Sequence, residues 1–162
     1  MGKTYVRVDD RLIHGQTIVA WCPTLNIKQI IAIDDVSAAN PMLKSILAMS
    51  VPKIYDTHIV TTEEALALLK EPCKENRLVI VKFPERLMAL KEALTGCEHI
   101  FLGNMAKRPD TVHQMTGATG IFYLSEQDVL NLNTLKTEGF SISFQQLPTA
   151  SETDWDAFVK SL

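Results

Sequence analysis

The stretch TYVRVDDRLIHGQ, residues 4–16, passes from a β-rich run through a short polar segment into an amphipathic one. Thr4–Asp9 predicts a strand, because β-branched and aromatic residues alternate with polar ones there. Gly15–Leu25 predicts a helix, since its apolar residues recur three and four positions apart. A strand that enters a helix through a turn of a few residues is the opening of a βαβ unit.

The same alternation continues along the chain, with roughly 20–27 residues per repeat. Several strand candidates are nearly continuous runs of Val, Ile, Leu and Phe, which is typical of strands covered on both faces. The sequence therefore predicts an α/β fold: a single domain over residues 1–162, with an open, mainly parallel sheet of about seven strands and helices on both faces. The strand candidates are Thr4–Asp9, Gln29–Asp34, His58–Thr61, Arg77–Phe83, His99–Gly103, Gly120–Leu124 and Phe140–Leu147.

Signals for helix starts fall between the predicted strands. Asn40-Pro41 combines an N-cap with a proline in the first turn. Thr61–Glu64 and Ser125–Asp128 have the pattern of capping boxes. The closing segment, Trp155–Leu162, has apolar residues at helical spacing and is expected to pack on the core.

Composition restricts the classes of partner. The formal net charge is −3, with no basic block and no acidic tail, which argues against nucleic acid or a charged membrane surface as the main partner. No apolar run is long enough to span a bilayer, and the N-terminus lacks the apolar core of a signal peptide. The three widely spaced cysteines suit a reducing cytoplasm better than a secreted disulfide framework.

The turn after the first predicted strand has the residue types that a phosphoryl carrier needs. Ligands of open parallel sheets bind beyond the carboxyl ends of the strands, where this turn lies. His14 offers an imidazole, a nucleophile that is unprotonated near neutral pH. Arg11 offers a planar fork of donors, and the backbone N–H groups from Gly15 and Gln16 onward form an anion site at the helix N-terminus. We therefore predict His14 as the catalytic residue and Arg11, Gly15 and Gln16 as phosphate-binding residues.

Asp9 and Asp10 have a supporting role in this interpretation. Either carboxylate suits holding Arg11 in place or orienting the imidazole through its second ring nitrogen, and spacing does not decide between them. The motif alone also fits a histidine-dependent phosphatase, or a non-catalytic regulatory domain in which His14 contacts a small anion. A solvated turn with an ordinary histidine is the plainest alternative.

Residues Arg7–Gln16, followed by Trp21, closely resemble the signature of the IIB components of the sugar phosphotransferase system, mannose/fructose/sorbose family. Two features depart from that family: it often has Gly-Gly where this chain has Gly103-Asn104, and Met105–Asp110 is individual to this chain. Supporting similarities extend over nearly the whole chain, at Ile33–Asp35, Asn40-Pro41, Thr62–Ala65, Leu102–Met105, Leu124–Asp128 and Gln145–Pro148.

The resemblance implies a phosphohistidine relay. A phosphorylated IIA protein or domain would donate to Nδ1 of His14, which would pass the phosphoryl group to a sugar held by the membrane components IIC and IID. The implied protein is a transferase without cofactor or metal. Its expected location is the cytoplasm, peripherally associated with the inner face of the membrane through IIC and IID. No IIA segment is evident, so we expect a separate IIB polypeptide.

The other three histidines have no pattern that indicates chemistry. His58, His99 and His113 lack the paired spacing of metal ligands, and we expect them at strand edges or in loops. Cys22, on the apolar face of the first helix, is predicted to lie in the core.

Overall fold

Strands and helices alternate along the chain, and the computed structural model describes all residues from 1 to 162. The strands are β1 Thr4–Asp9, β2 Ile27–Ile33, β3 Asp56–Val60, β4 Asn76–Val81, β5 His99–Asn104, β6 Thr111–Gln114, β7 Tyr123–Ser125, β8 Ile142–Phe144 and β9 Thr153–Asp154. The helices are α1 Gly15–Thr24, α2 Asp35–Ala39, α3 Pro41–Met49, α4 Thr62–Lys70, α5 Pro84–Leu90, α6 Glu126–Thr137 and α7 Trp155–Lys160. None of them combines the length and apolar character needed to cross a bilayer.

The main sheet has seven strands in the order β3-β2-β4-β1-β5-β8-β9. Every pair in it is parallel except β8 with the short edge strand β9. The open, mainly parallel sheet is therefore confirmed. The chain leaves β1 toward β2 on one side and leaves β5 toward β8 on the other. The crevice at the carboxyl ends of β1 and β5 is thus the point where the strand order reverses, which is the usual ligand position in such sheets.

Helices cover both faces of the sheet, as predicted, because successive strand side chains point to opposite sides. In β2, Ile31 and Ile33 belong to a large apolar cluster that includes residues of α4, α5, α6 and α7. Ile30 and Ala32 belong to a smaller cluster with residues of α1 and the segment after α3. Cys22 lies fully buried in the smaller cluster, and burial raises its pKa to about 12.

The predicted helix starts are confirmed. The Asn40 side chain accepts from the Leu43 amide at 3.1 Å, with Pro41 in the first turn. Thr61 and Ser125 both head complete capping boxes, the first with Glu64 and the second with Asp128. The closing segment forms α7 and buries Trp155 and Phe158, as expected.

The prediction for Gly120–Leu124 as a strand of the main sheet is wrong. The strand there is β7, which pairs antiparallel with β6 in a separate two-stranded sheet. The sequence of β6, Thr-Val-His-Gln, has one apolar residue and it faces solvent, so the apolar pattern does not reveal the strand. The predicted strand Phe140–Leu147 shortens to β8, because the carbonyls of Gln145 and Gln146 turn to accept hydrogen bonds from Arg7.

Candidate active site

The loop between β1 and α1 turns sharply at Leu12. The Leu12 amide donates to the Asp9 carbonyl at 2.9 Å, and Leu12 has a φ of 62°. The left-handed region costs a residue with a side chain about 1–2 kcal/mol. Burial offsets this cost, because the Leu12 side chain is 2% exposed and packs with Ile18 and Val51. The loop is therefore held in one strained path beside the crevice.

Asp9 is the carboxylate that holds Arg11. Its Oδ1 accepts from the Arg11 backbone amide and from Nε, both at 3.0 Å, while Oδ2 accepts from Nη2 at 2.9 Å. The Asp9 side chain is 2% exposed, so this two-point pairing is shielded from water. These hydrogen bonds raise the pKa of Arg11 above its ordinary value.

Asp10 has a different task from Asp9. Its carboxylate accepts from Nδ2 of Asn104 and from the Ala106 amide, both at 2.7 Å, and its own amide donates to the Asn104 carbonyl at 3.0 Å. Asp10 thus joins the loop after β1 to the loop after β5 across the crevice. Neither acid is hydrogen-bonded to His14, so the alternative in which one of them orients the imidazole is not what the structure has.

Arg11 lies against the first turn of α1, the helix that His14 begins. Its Nη2 donates to Oγ1 of Thr17 at 3.2 Å in addition to Asp9. Its Nη1 donates to no group of the chain. Because the side chain is 32% exposed, Nη1 presents two unused N–H groups of a charged fork to an incoming anion.

The N-terminus of α1 leaves its amides open. His14 is the N-cap residue, with extended backbone, and its side chain makes no capping hydrogen bond. The first helical bond runs from the Ile18 amide to the His14 carbonyl, at 3.1 Å, and the amides of Gly15, Gln16 and Thr17 have no acceptor in the chain. No acidic residue occupies the first turn. The positive end of the helix dipole is therefore uncompensated here.

Gly15 and Gln16 contribute through their backbones. Gly15 has no positive φ, so its backbone does not require glycine. A Cβ at Gly15 would come no closer than 3.7 Å to any atom, the nearest being the Ser50 carbonyl oxygen. The space above this amide is thus open to a ligand, and the Gln16 side chain is exposed to solvent.

The His14 ring is the group whose hydrogen bonding is unmet. Among all buried side-chain nitrogen and oxygen atoms, Nδ1 of His14 alone has no hydrogen-bond partner. The other histidines have acidic neighbours: His58 with Asp56 at 3.1 Å, His99 with Glu152 at 3.6 Å and His113 with Glu126 at 2.6 Å. Buried polar atoms without partners are rare in folded proteins and call for an explanation, of which a role in chemistry is one.

Sequence reasoning missed the groups that support this loop. Arg7 bonds to Asp9 and to the chain after β8, and the indole Nε1 of Trp21 donates to the Gln146 carbonyl at 2.9 Å. One signal was available for Arg7, because residues two apart in a strand share a face and Asp9 follows it by two. Nothing in the sequence pattern brings Gln146 to Trp21.

Comparison with known protein families identifies the family of this chain. The model of the PTS system sorbose subfamily IIB component matches residues 3–162. The chain is therefore a member of the phosphotransferase system IIB components, in the sorbose subfamily.

Individual relatives agree with this membership. The fructose-specific EIIB component of Bacillus subtilis is 24% identical over 100% of this chain and 98% of that protein. The mannose-specific EIIAB component of Escherichia coli is 26% identical over 145 residues, which are 88% of this chain and 44% of that longer protein. The chain thus spans less than half the length of that relative. The crystal structure of the IIBSor domain of the sorbose permease from Klebsiella pneumoniae has the same fold, with a TM-score of 0.87 at 22% identity over 100% of this chain and 99% of that one.

Proposed function

We propose that this chain accepts a phosphoryl group on His14 from a phosphorylated IIA protein or domain and transfers it to a sugar taken up through the membrane components IIC and IID. Family membership supports the class of protein. The observation that supports this loop as the site is the first turn of α1, for which His14 is the N-cap residue. Three backbone amides there have no acceptor, and the guanidinium of Arg11 lies beside them with Nη1 unpaired.

Each transfer exchanges one bond to phosphorus for another. In the first, an unprotonated ring nitrogen of His14 attacks phosphorus while the N–P bond of the donor phosphohistidine breaks and the donor imidazole leaves with the electron pair. In the second, a sugar hydroxyl oxygen attacks, the N–P bond to His14 breaks with its electrons returning to the ring, and the hydroxyl proton is released. Such transfers depend on positioning and on balancing charge at the phosphoryl oxygens. We expect Arg11 Nη1 and the amides of Gly15, Gln16 and Thr17 to supply both.

We assign the phosphoryl group to Nδ1 of His14. This atom is buried without a partner in the present ring orientation, so it has no hydrogen bond to give up when it reacts. The torsion between Cβ and the ring is broad for histidine, so we expect the ring to turn and present Nδ1 to the donor. A 31P NMR spectrum of the phosphorylated protein separates the two ring isomers; the Nε2 isomer would contradict this assignment.

The proposed relay places the chain in the cytoplasm, held peripherally at the inner face of the membrane through IIC and IID. The formal net charge is −3 and the sequence has no basic block, so we expect no nucleic acid as a partner. The chemistry uses no cofactor.

Intact-mass analysis after incubation with a phosphorylated IIA donor tests the proposal. We expect a gain of one phosphate that is stable at neutral pH, lost in acid, and absent in the His14→Ala variant. The matched control is His99→Ala, which should gain the phosphate normally. Release of inorganic phosphate without a phosphorylated protein would indicate a phosphatase. No gain and no release would indicate a non-catalytic anion-binding domain, and either result would overturn the proposal.

A further inference from the structure

Arg7 carries a positive charge into the interior directly beneath the active-site loop. Its side chain is 1% exposed, and burial lowers its pKa to about 10 even though the Asp9 carboxylate raises it. Its Nε donates to Oδ2 of Asp9 at 3.4 Å. Burying a guanidinium carries a desolvation penalty that can exceed what its ion pair and hydrogen bonds return, so a buried charged pair is weak evidence for stability. The charge therefore calls for a reason beyond stability.

The first reason is the charge balance around Asp9. This carboxylate lies between two guanidinium groups, Arg7 on the inside and Arg11 on the outside. With Arg11 alone, Asp9 would form a neutral pair. With Arg7 as well, the three groups carry a net positive charge. Solvent reaches this group of charges only at Arg11. The Arg11 side chain is 32% exposed, whereas the side chains of Arg7 and Asp9 are buried. Low-dielectric surroundings preserve the effect of such a charge.

The second reason is mechanical. Arg7 Nη1 donates to the Gln145 carbonyl at 3.2 Å, and Nη2 donates to the Gln146 carbonyl at 2.8 Å. The Gln146 carbonyl also accepts from Nε1 of Trp21, and the Arg7 guanidinium lies 5.4 Å from the centre of the Trp21 rings. Arg7 thus ties the chain after β8 to α1 and to Asp9 at the same time.

Gly103 makes room for this arrangement. A Cβ on Gly103 would overlap Cζ, Nε and Nη2 of Arg7, so the guanidinium would have to shift. The backbone of β5 therefore approaches the charged plane as only glycine allows. One glycine and two main-chain carbonyls thus hold the Arg7 side chain in place.

We propose that Arg7 is a positioning residue for phosphoryl transfer at His14, which fixes Asp9 so that Arg11 keeps both its orientation and its positive charge for the phosphoryl oxygens. This inference rests on the proposed function. Arg7 itself touches no reacting atom.

Single-turnover phosphorylation by a phosphorylated IIA donor tests the role of Arg7, with the donor concentration varied to separate KM from kcat. We expect Arg7→Met and Arg7→Lys to lower kcat, by about 10- to 100-fold for Met, because a misplacement of about 1 Å caused by a mutation away from the chemistry can cost about 100-fold. The KM for the donor should change little, since Arg7 lies beneath the surface. Arg7→Lys should lose less of kcat than Arg7→Met, because lysine keeps the positive charge. It should not reach the wild-type kcat, because it lacks the planar fork of donors.

Arg77→Lys is the matched control. Arg77 is also buried and also donates to main-chain carbonyls, those of Leu69 and Glu71, but at the opposite edge of the sheet and with no carboxylate. It should lose stability without losing kcat. Wild-type kcat in folded Arg7→Lys and Arg7→Met would overturn the inference. If both fail to fold, Gly103→Ala, which presses on the guanidinium and keeps its charge, takes their place with the same expected loss of kcat. A wild-type protein that accepts no phosphate would instead overturn the proposed function.

Discussion

His14 and His99 are two histidines at opposite edges of one sheet, and they differ in what surrounds the ring. His99 begins β5 at the amino edge, where Nδ1 meets Oγ of Ser141 at 2.9 Å and Nε2 meets Oγ of Ser143 at 2.6 Å. Ser143 in turn donates to Glu152 at 2.7 Å, and the ring packs against Phe101 with centroids 4.5 Å apart. His14 follows β1 at the carboxyl edge and leaves Nδ1 unpaired.

The difference follows from the direction of the backbone at each edge. At the carboxyl edge a helix begins directly after His14, so free N–H groups collect there, and none of them donates to Nδ1 of the ring. At the amino edge, neighbouring strands start side by side and their hydroxyl side chains can meet the ring. The His99 ring has both nitrogens hydrogen-bonded to the structure, whereas the His14 ring has a nitrogen without a partner beside an unpaired helix N-terminus.

Replacing each histidine by alanine should give the largest difference between the two sites. We expect His14→Ala to lose phosphate acceptance entirely and to keep the wild-type melting temperature, because the ring has no hydrogen bonds to lose on the Nδ1 side. His99→Ala should accept phosphate at the wild-type rate. Intact mass and thermal unfolding measure both properties on the same samples. Phosphate on His14→Ala would place the chemistry elsewhere.

Arg11→Ala should give the next largest effect. We expect transfer to slow by about 100- to 1,000-fold, since the variant removes a charged donor from the phosphoryl site. Folding should survive because a third of the side chain is exposed and Asp9 keeps its bond to Arg7. Arg86→Ala removes an exposed arginine that pairs with Glu85 and serves as the control. Normal rates in single-turnover assays of Arg11→Ala would refute charge stabilisation by this residue.

The pH dependence of stability should reveal His99. Burial lowers its pKa, while the nearby charges of Glu152 and Asp154 raise it and Lys136 lowers it. The folded state therefore binds its proton less readily than the unfolded state. The resulting stability is full above the ordinary histidine pKa of about 6.5 and is lost as pH falls through that value toward the lower folded pKa.

Urea unfolding of the wild type and of His99→Ala at several pH values measures this contribution. The variant should be less stable by about 1–3 kcal/mol near neutral pH, from lost hydrogen bonds. The difference between the two proteins should shrink in acid. A constant difference across pH would show that protonation of His99 is not linked to folding.

Asn104→Gly should give the smallest change. It restores the Gly-Gly pair common in the family and removes the hydrogen bond from Nδ2 to Asp10, but the Ala106 amide still holds that carboxylate. One hydrogen bond to a charged group contributes about 1.5–3 kcal/mol when nothing replaces it, and here water and Ala106 remain. We expect the transfer rate to stay within about threefold. A large loss of transfer rate would indicate that Asn104 takes part in the reaction and does more than support the loop.

The elements that the sequence predicts correctly are those that depend on contacts between residues close together in the chain. The strand at Thr4–Asp9, the helix from Gly15 and the capping boxes were predicted because each depends on neighbours within a few residues. The sequence does not predict the hairpin of β6 and β7, because β6 pairs with a strand farther along the chain and buries few of its side chains. The sequence of one loop predicts Arg11, Gly15 and Gln16 as phosphate-binding residues, which stays a prediction. The same sequence assigns no role to Arg7.

Local sequence is enough to set the alternation of strands and helices and to bring an imidazole, a guanidinium and open amides into one short turn. Only the tertiary structure decided that Asp9 holds Arg11 while Asp10 reaches Asn104, and that Arg7 bonds to Gln145 and Gln146. Asp9 and Arg11 are neighbours in the chain, but Asn104, Gln145 and Gln146 lie far from their partners and reach them because β1 is placed beside β5 and near β8. Strand order is a property of the whole packed sheet, so no short stretch of residues encodes it.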